Sequence, residues 1–202
     1  MSRALVVVAN PKPDSFSHAM AAASIDALER LGHAVDVHDL YAEGFQPVLH
    51  AAEAATAGPE AESALTAGAD PLVTEHRRSL AAADTLVVAH PNWWGKPPAI
   101  MAGWIDRVVV PGVAYRLATG EGEPECLLRL RRLLVLNTSD TPAERETAVF
   151  GDPLDAIWRR CVGAYLGDAV IERMVAGPMA SATARQRQDW LDQAARLSSS
   201  VG

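Results

Sequence analysis

Short apolar runs that alternate with helical patterns constrain the fold of this chain more than any other feature. Residues 4–9 form a Val-rich run typical of a strand buried on both faces. A proline-rich segment ends this run, and apolar residues then recur at spacings of three or four up to Leu31, just before Gly32. Residues 34–38 alternate between apolar and polar, which predicts a strand nearer a sheet edge. Together these segments predict a βαβ unit with a right-handed crossover.

The alternation continues to the end of the chain. Strands are predicted over residues 85–89, 133–136 and 169–175, and helices over residues 71–83, 100–108, 154–166 and 182–197. Five strands alternating with five helices predict an α/β fold, a doubly wound three-layer sandwich around a five-stranded parallel sheet. Because the chain has 202 residues, we expect a single domain over residues 1–202, with the Ala-rich residues 50–69 as an excursion from it.

Charge and cysteine content exclude several classes of protein. The chain carries 18 basic and 25 acidic residues, a formal charge of −7, so it has no excess positive charge for binding nucleic acid. Cys126 and Cys161 belong to no CxxC or Cys/His cluster, so neither a zinc site nor a disulfide framework is expected. The apolar run near the start is too short for a membrane span or a secretory signal. We therefore expect a soluble, cytoplasmic protein that holds no metal.

Three loops follow predicted strands and carry the side chains that could do chemistry. Ligands of open parallel sheets bind beyond the carboxyl ends of the strands, where the strand order reverses. After the first strand, a helix start with two serines and His18 suits a phosphate. After the third strand, Trp93 and Trp94 could stack on a flat ring, and after the fourth, residues 137–141 supply small polar groups. A phosphate site beside a rigid aromatic loop fits a flavin.

Each of these features also has a simpler interpretation. Asp14 or Ser15 could be no more than a helix cap. The Trp pair could form a dimer contact or cover the core, and His18 could be a surface or packing residue. The sequence contains no Walker A, GxSxG or HExxH motif, which argues against nucleoside triphosphatases, esterases and zinc proteases of those types.

Motifs in these loops resemble those of the NAD(P)H:quinone oxidoreductase family. Residues 10–20 (NPKPDSFSHAM) are similar to the family's flavin-phosphate loop, and residues 39–42 (DLYA) and 45–47 (FQP) match as well. The strongest match is residues 90–100 (HPNWWGKPPAI) with residues 103–108 (GWIDRV), the family's loop for the isoalloxazine ring and the helix after it. With Gly151, Asp152 and the helix through Trp158, the resemblance spans roughly residues 3–170.

The resemblance implies a flavodoxin-like fold with strand order 2-1-3-4-5, a homodimer and a flavin near its interface. It also implies ping-pong hydride transfer from the co-substrate NAD(P)H to a quinone or similar acceptor, with FAD or FMN as cofactor. Carried over by position, the cofactor-binding residues are Asn10, Ser15, Phe16, Ser17, His18, Pro91, Asn92, Trp93, Trp94, Gly95, Asn137, Thr138, Ser139 and Asp140. Backbone N–H groups of residues 137–141 are expected to face the flavin ring. The candidate catalytic residues are Trp94, Asn137, Thr138 and Phe150.

The chain departs from the family pattern where the reduced flavin is stabilised. The family's Thr-Thr-Gly-Gly after the fourth strand is replaced by residues 137–140 (NTSD). The family's Tyr falls near Glu144 or Arg145, and its His falls on Phe150. These losses leave an alternative open, a flavin-binding protein with weak or no quinone reduction. A one-electron flavodoxin carrier fits less well, because residues 10–17 contain no glycine.

Overall fold

The computed structural model describes residues 2–53, 70–116 and 124–200, and its centre is a five-stranded parallel sheet. Its strands are β1 (Arg3–Val8), β2 (Ala34–Asp39), β3 (Thr85–Pro91), β6 (Arg132–Thr138) and β7 (Val170–Ala176). Their order, β2-β1-β3-β6-β7, confirms the predicted doubly wound sheet. The numbering differs because β4 (Tyr115–Arg116) and β5 (Glu125–Cys126) form a separate antiparallel pair, where the sequence pattern predicts no strand.

Six α-helices connect and flank the strands in the described residues. They are α1 (Phe16–Arg30), α2 (Pro71–Ala82), α3 (Ala99–Val108), α4 (Ala143–Phe150), α5 (Pro153–Ala156) and α6 (Ala184–Ser199). The predicted helix over residues 154–166 is continuous but changes type, from α5 to a π-helical turn (Ile157–Val162) and a 3-10 turn (Gly163–Tyr165). Helix α4 was not predicted, because Glu146 is its single buried residue and it therefore lacks an apolar stripe.

Two apolar cores lie on the two faces of the sheet. On one face, Val6 and its neighbours in register pack with Met20 of α1 and Ala194 of α6. On the other, alternate strand residues pack with α2, α3 and the helical segment after residue 153, including Trp104 and Trp158. Because the central strands are buried on both faces, their sequences are continuous apolar runs. Trp190 of α6 is partly buried and packs against the core that contains Met20.

Hydrogen bonds beyond the strand ends bring the predicted loops together. Ala9 N donates to the Ala89 carbonyl at 2.9 Å, and Asn92 N donates to the Thr138 carbonyl at 2.7 Å. Because the strands are parallel, the loops after β1, β3 and β6 all leave the same edge of the sheet. A ligand site is therefore expected at this carboxyl edge of the sheet.

The Ala-rich stretch of residues 50–69 is only partly described. Residues 54–69 lie outside the described residues, while Ala51–Glu53 form a 3-10 turn. The Glu53 carboxylate accepts hydrogen bonds from the buried Arg107 of α3 at 3.0–3.2 Å. Arg107 holds the pKa of Glu53 below its ordinary value, although burial opposes this. In the described parts of the chain, no helix combines the length and apolar character needed to cross a membrane.

Candidate functional site

The loop after β1 folds into a helix start with a side-chain cap. Ser15, in an extended conformation, is the N-cap of α1, and its Oγ accepts a hydrogen bond from His18 N at 3.4 Å. Asn10 shapes the loop, because its Oδ1 accepts from Lys12 N at 3.0 Å and its Nδ2 donates to Ser17 Oγ at 3.3 Å. The first N–H groups of a helix lack intrahelical acceptors, so this start can receive an anion as well as a cap.

The ring of Phe16 faces away from that anion position. It lies edge-on to Trp190 of α6, with ring centroids 5.9 Å apart, and the guanidinium of Arg187 lies 5.6 Å from its centre. Phe16 can therefore serve a phosphate only through its backbone N–H. Its side chain anchors α1 to α6.

His18 links the helix start to the neighbouring strand. Its Nδ1 lies 2.8 Å from Ser15 Oγ, and its Nε2 lies 2.9 Å from Oδ2 of Asp39, the last residue of β2. Its side chain is mostly but not fully buried. Both ring nitrogens of His18 are therefore engaged by groups of the protein itself, so its role in holding a phosphate stays a prediction.

The loop after β3 is a tight turn that holds an indole out in solvent. Trp93 N and Lys96 N each bond to the other residue's carbonyl, at 3.1 and 3.2 Å. Trp94 and Gly95 between them have φ of 59° and 71°, the left-handed pair that two-residue hairpin turns require. A side chain in that conformation is unusual, and Trp94 is 96% exposed. Such strain at an exposed aromatic residue points to a functional surface.

The polar segment after β6 is shorter than predicted. Asn137 and Thr138 are the last two residues of the strand and pair with β7, so they are not loop residues. Ser139 N donates to the Ala176 carbonyl at 3.0 Å, and Thr141 N donates to Ser139 Oγ at 3.1 Å. The prediction that the backbone N–H groups of residues 137–141 face a flavin is therefore wrong for these engaged groups. The cause is that β6 and its pairing extend further than its apolar run.

Asp140 is also turned away from the strand ends. Its Oδ1 accepts a hydrogen bond from Ala180 N at 2.7 Å, in the segment that leads to α6. Its carboxylate therefore ties two loops together.

Two amide side chains remain at the edge, the buried Asn137 and the partly buried Asn92, and a charged partner fixes the orientation of each. Arg173 Nε donates to Asn137 Oδ1 at 2.7 Å, and Asn92 Nδ2 donates to Glu146 Oε1 at 3.1 Å. A guanidinium can only donate and a carboxylate can only accept, so neither amide can be turned over. Asn137 Nδ2 and Asn92 Oδ1 are buried, and neither has a hydrogen-bond partner among the described residues.

These two atoms are the best test of whether a flavin fits. They form one donor and one acceptor on adjacent strands, β6 and the end of β3, and they do not satisfy each other. Buried polar groups are rarely left unpaired. The pyrimidine edge of an isoalloxazine carries an N–H between carbonyl groups, so it offers the complementary pair. The residues present therefore fit a flavin at this edge.

A buried histidine lies directly beneath the amides. His90, paired with Asn137 in register, accepts a hydrogen bond from Trp158 Nε1 at 3.1 Å through Nε2. Its Nδ1 donates to the Pro91 carbonyl at 2.9 Å. Burial, aided by the nearby positive charge of Arg173, lowers the pKa of His90 to about 4, so the ring is neutral at pH 7. His90 therefore places no charge at this edge of the sheet.

Phe150 does not join the other predicted residues. It ends α4, its ring is half exposed, and the guanidinium of Arg145 lies 5.4 Å from its centre. In the described ranges, no ring contact or hydrogen bond joins it to the other candidate residues. Its catalytic role therefore stays a prediction. Gly95 links the aromatic turn to this region, because an added Cβ would lie 2.4 Å from Pro153 Cγ.

A second cluster of titratable side chains lies away from this edge. His38 and His76 stack with centroids 3.8 Å apart, and Glu43 carboxylate oxygens lie 2.9 and 3.0 Å from a nitrogen of each. Such a set resembles a metal site. However, Trp104 Nε1 donates to His76 Nδ1 at 2.9 Å, so the ring proton of neutral His76 must lie on Nε2. That nitrogen then has no lone pair for a metal. Burial, with a smaller contribution from His38, lowers the pKa of His76 to about 3.

Some residues of the site, or their contacts, were not predicted from the sequence. Glu146 and Arg173 orient the two amides. Asp152, which matched the family pattern together with Gly151, holds Arg173 with Oδ1 and Oδ2 at 2.8 and 2.7 Å from Nη1. An arginine within the otherwise apolar end of β7 was a usable signal. Glu146 lies in a helix without an apolar stripe, so no sequence signal indicated it. Asp39 was part of a matching motif, but its contact with His18 needs the β1–β2 pairing.

Comparison with known proteins identifies the family. A family profile described as flavodoxin-like fold matches residues 2–197. The chain is 36% identical over 128 residues to NAD(P)H dehydrogenase [quinone] 1 of Cavia porcellus, covering 58% of this chain and 46% of that protein. It is 30% identical over 170 residues to the human ribosyldihydronicotinamide dehydrogenase [quinone], covering 77% and 72% of the two chains. The chain spans about half the length of the first relative.

Solved structures share the fold at lower identity. An NAD(P)H:quinone oxidoreductase from Methanothermobacter marburgensis superposes with a TM-score of 0.78 at 23% identity, covering 100% of both chains. An FMN-dependent NADH-azoreductase from Bacillus anthracis, solved in complex with FMN, superposes with a TM-score of 0.76 at 15% identity and 98% coverage of each chain. The profile and the human relative cover most of the chain, and the structures agree on its fold. The chain therefore belongs to the NAD(P)H:quinone oxidoreductase family of flavodoxin-like proteins.

Proposed function

We propose that this protein is a flavin-dependent NAD(P)H oxidoreductase that passes two electrons to a quinone or similar small acceptor by a ping-pong mechanism. The observation that carries the proposal is the pair of buried, unpaired amide atoms at the carboxyl edge, one a donor and the other an acceptor. The start of α1 follows β1, the Trp94 turn follows the adjacent β3, and Asn137 lies at the end of the next strand, β6, so an anion position, an aromatic surface and a polar edge share one edge of the sheet.

Each residue group has a separate task in this proposal. A bound flavin would supply the hydride-accepting chemistry that no side chain has. The start of α1 binds the phosphate, and Asn137 and Asn92 hold the polar edge of the ring in one orientation. Trp93 and Trp94 shield the ring from water and shape the slot shared by NAD(P)H and acceptor. Thr138 contributes its backbone carbonyl to the Asn92 hydrogen bond that holds the turn to β6.

The names of the relatives support the acceptor and the co-substrate. Two are dehydrogenases of the quinone class, and the structural neighbour from Bacillus anthracis binds FMN. The proposal admits FMN or FAD, and NADH or NADPH. A cytoplasmic location follows from the need for a supply of reduced nicotinamide nucleotide.

Reconstitution tests the proposal directly. The purified protein is mixed with FMN or FAD and freed of excess ligand, and NAD(P)H oxidation is followed with and without a quinone. We expect retained flavin absorbance and quinone-dependent oxidation well above the rate of the same free flavin. Loss of all flavin on gel filtration, with no such oxidation, would contradict it.

A second candidate function is flavin binding with little turnover, and Phe150 favours it. The family's imidazole is replaced by a ring that makes no hydrogen bond, so proton transfer at that position is lost. If this candidate is correct, the protein keeps flavin while its quinone reduction stays near the rate of free flavin. Phe150→His should then raise turnover without changing the flavin Kd. Ala148→His, which adds an imidazole at another exposed position of the same helix, is the matched control.

We also propose that the protein is a homodimer. Large apolar side chains are half or more exposed at Trp94, Val149 and Phe150. A hydrogen bond from Asn92 to Glu146 joins the helix of Val149 and Phe150 to the aromatic turn. Single large apolar side chains are common on surfaces, but a group at one edge favours a partner surface. Light scattering should give twice the mass of 21.5 kDa, and a monomer mass at micromolar concentration would contradict the proposal.

A further inference from the structure

A buried guanidinium lies behind the donor that Asn137 presents at the carboxyl edge. Arg173 Nε donates to Asn137 Oδ1 at 2.7 Å, and the arginine side chain is 4% exposed. The other end of the same amide, Nδ2, is buried and has no hydrogen-bond partner among the described residues. The amide therefore connects a permanent positive charge to the unsatisfied donor of the candidate site.

The carboxylates that balance Arg173 contact a different nitrogen of its guanidinium. Asp152 Oδ1 and Oδ2 accept from Nη1 at 2.8 and 2.7 Å, and Asp155 Oδ1 lies 3.4 Å from the same nitrogen. Asp155 also pairs with Arg159 at 3.0 Å. Since the guanidinium meets Asn137 through Nε and the carboxylates through Nη1, the charge next to the amide is the positive one.

The charge of Arg173 acts on other groups at this edge as well. His90 lies beside Asn137 in register. Burial is the main cause of the low pKa of His90, about 4, and the positive charge of Arg173 contributes to it. Because His90 is neutral at pH 7, it does not repel the guanidinium or replace it as a source of charge.

Reduction of a bound flavin would place negative charge next to this amide. In the proposed reaction NAD(P)H gives a hydride to the ring and leaves as NAD(P)⁺, so the ring gains two electrons and one proton and becomes an anion. Part of that charge lies on the carbonyl groups of the pyrimidine edge. A hydrogen-bond donor there binds the reduced ring more strongly than the oxidised ring. The other unpaired amide atom, Asn92 Oδ1, is an acceptor, so this role falls to Asn137.

We propose that Arg173 is a positioning residue that makes the site favour the reduced flavin, acting through the Asn137 amide. It holds Nδ2 toward the ring, and its hydrogen bond to Oδ1 polarises the amide, which strengthens the Nδ2–H group as a donor. Without Arg173 the amide can turn over and present its oxygen, which repels a reduced ring. This inference rests on the proposed flavin site and adds the origin of its redox preference.

The midpoint potential of bound FMN tests the inference, because it compares binding of the oxidised and the reduced flavin. The potential is measured by absorbance against a redox dye at one pH, for the unaltered protein and for Arg173→Met. We expect the variant to lose about a tenfold preference for the reduced flavin, the change in an equilibrium constant that one hydrogen bond makes. For a two-electron couple, this tenfold change is a fall of about 30 mV. Arg173→Lys, which keeps the charge, should recover part of the fall.

A second buried arginine on the same two strands gives a matched control. Arg132, the first residue of β6, is 7% exposed and donates from Nε to Glu172 of β7 at 2.7 Å, away from the carboxyl edge. We expect Arg132→Met to lower the Tm, as Arg173→Met does, and to leave the midpoint potential of FMN unchanged. An effect of stability alone would lower the potential equally in both variants.

Asp152→Asn tests the charge with the opposite sign. Asparagine keeps a side-chain acceptor for Arg173 and for the cap of α5, but it removes the negative charge next to the guanidinium. The positive charge that faces Asn137 is then less compensated, so we expect the midpoint potential to rise. A general loosening of the site does not predict a rise.

The outcomes separate this inference from the proposed function. An unchanged potential in Arg173→Met, an equal fall in Arg132→Met, or an unchanged or lower potential in Asp152→Asn would overturn the role of Arg173 and leave the flavin site intact. Failure of the unaltered protein to bind FMN would overturn the proposed function itself. If Arg173→Met does not fold, the sign of the shift in Asp152→Asn still decides the question.

Discussion

At the scale of single residues, the turn at Gly95 combines a left-handed backbone with a close side-chain contact. A Cβ there would meet Pro153 Cγ at 2.4 Å, on a backbone with φ of +71°. Gly44 has a similar φ of +65° but nothing within 4 Å, so it isolates the cost of the conformation. We expect Gly44→Ala to cost about 1 kcal/mol and Gly95→Ala about 2–4 kcal/mol of unfolding free energy, measured by urea denaturation. Equal losses of unfolding free energy in the two variants would show that Pro153 moves aside without an energetic cost.

His90 gives a second prediction at this scale. The unfolded histidine takes up a proton near its ordinary pKa of about 6.5, whereas the buried ring resists until about 4. Between these values the unfolded state binds more protons, so stability falls as the pH drops. We expect His90 to contribute up to about 1.4 kcal/mol of loss per pH unit in that range. In denaturation series from pH 7 to 4.5, His90→Gln should show a shallower loss than the unaltered protein, and parallel curves would contradict this.

At the scale of elements, Arg173 joins β7 to the start of α5 and to β6. Its guanidinium is almost fully buried, so removing it leaves Asp152 and Asn137 without their partner. We expect Arg173→Met to cost about 2–4 kcal/mol and to raise the FMN Kd, because the Asn137 amide can then turn over. Arg173→Lys should restore part of both. Arg78→Met, which breaks an exposed pair with Glu75 at 4.0 Å, should change stability by less than about 0.5 kcal/mol.

At the scale of the whole molecule, ligand binding should stabilise the fold through the carboxyl edge. A ligand held only by the native state adds about 2.7 kcal/mol at a concentration 100 times its Kd. For a domain of this size, that corresponds to a rise in Tm of roughly 5–10 °C. Calorimetric scans with FMN should show this rise. Asn92→Leu, which removes the buried acceptor, should reduce the rise at equal FMN concentration, and an unchanged rise would exclude Asn92 from the site.

The sequence by itself determined the layered α/β fold and predicted the edge of the sheet at which a site is expected. Apolar runs buried on both faces can only be central strands of a covered parallel sheet, and such sheets bind ligands at their carboxyl edge. The Ser15 cap and the exposed Trp94 turn could also be predicted, because caps and turns depend on a few neighbouring residues.

Only the tertiary structure decided how the polar groups at that edge are oriented. The direction of the Asn137 amide depends on Arg173, and the pairing of His18 depends on Asp39, both from other strands. Of the backbone N–H groups expected to face a flavin, those of Ser139 and Thr141 are engaged within the protein, with the Ala176 carbonyl and with Ser139 Oγ. Hydrogen bonds between residues far apart in the chain leave no periodic pattern in it. They arise only when the sheet sets strand order and register, and here these contacts determine which atoms a ligand can meet.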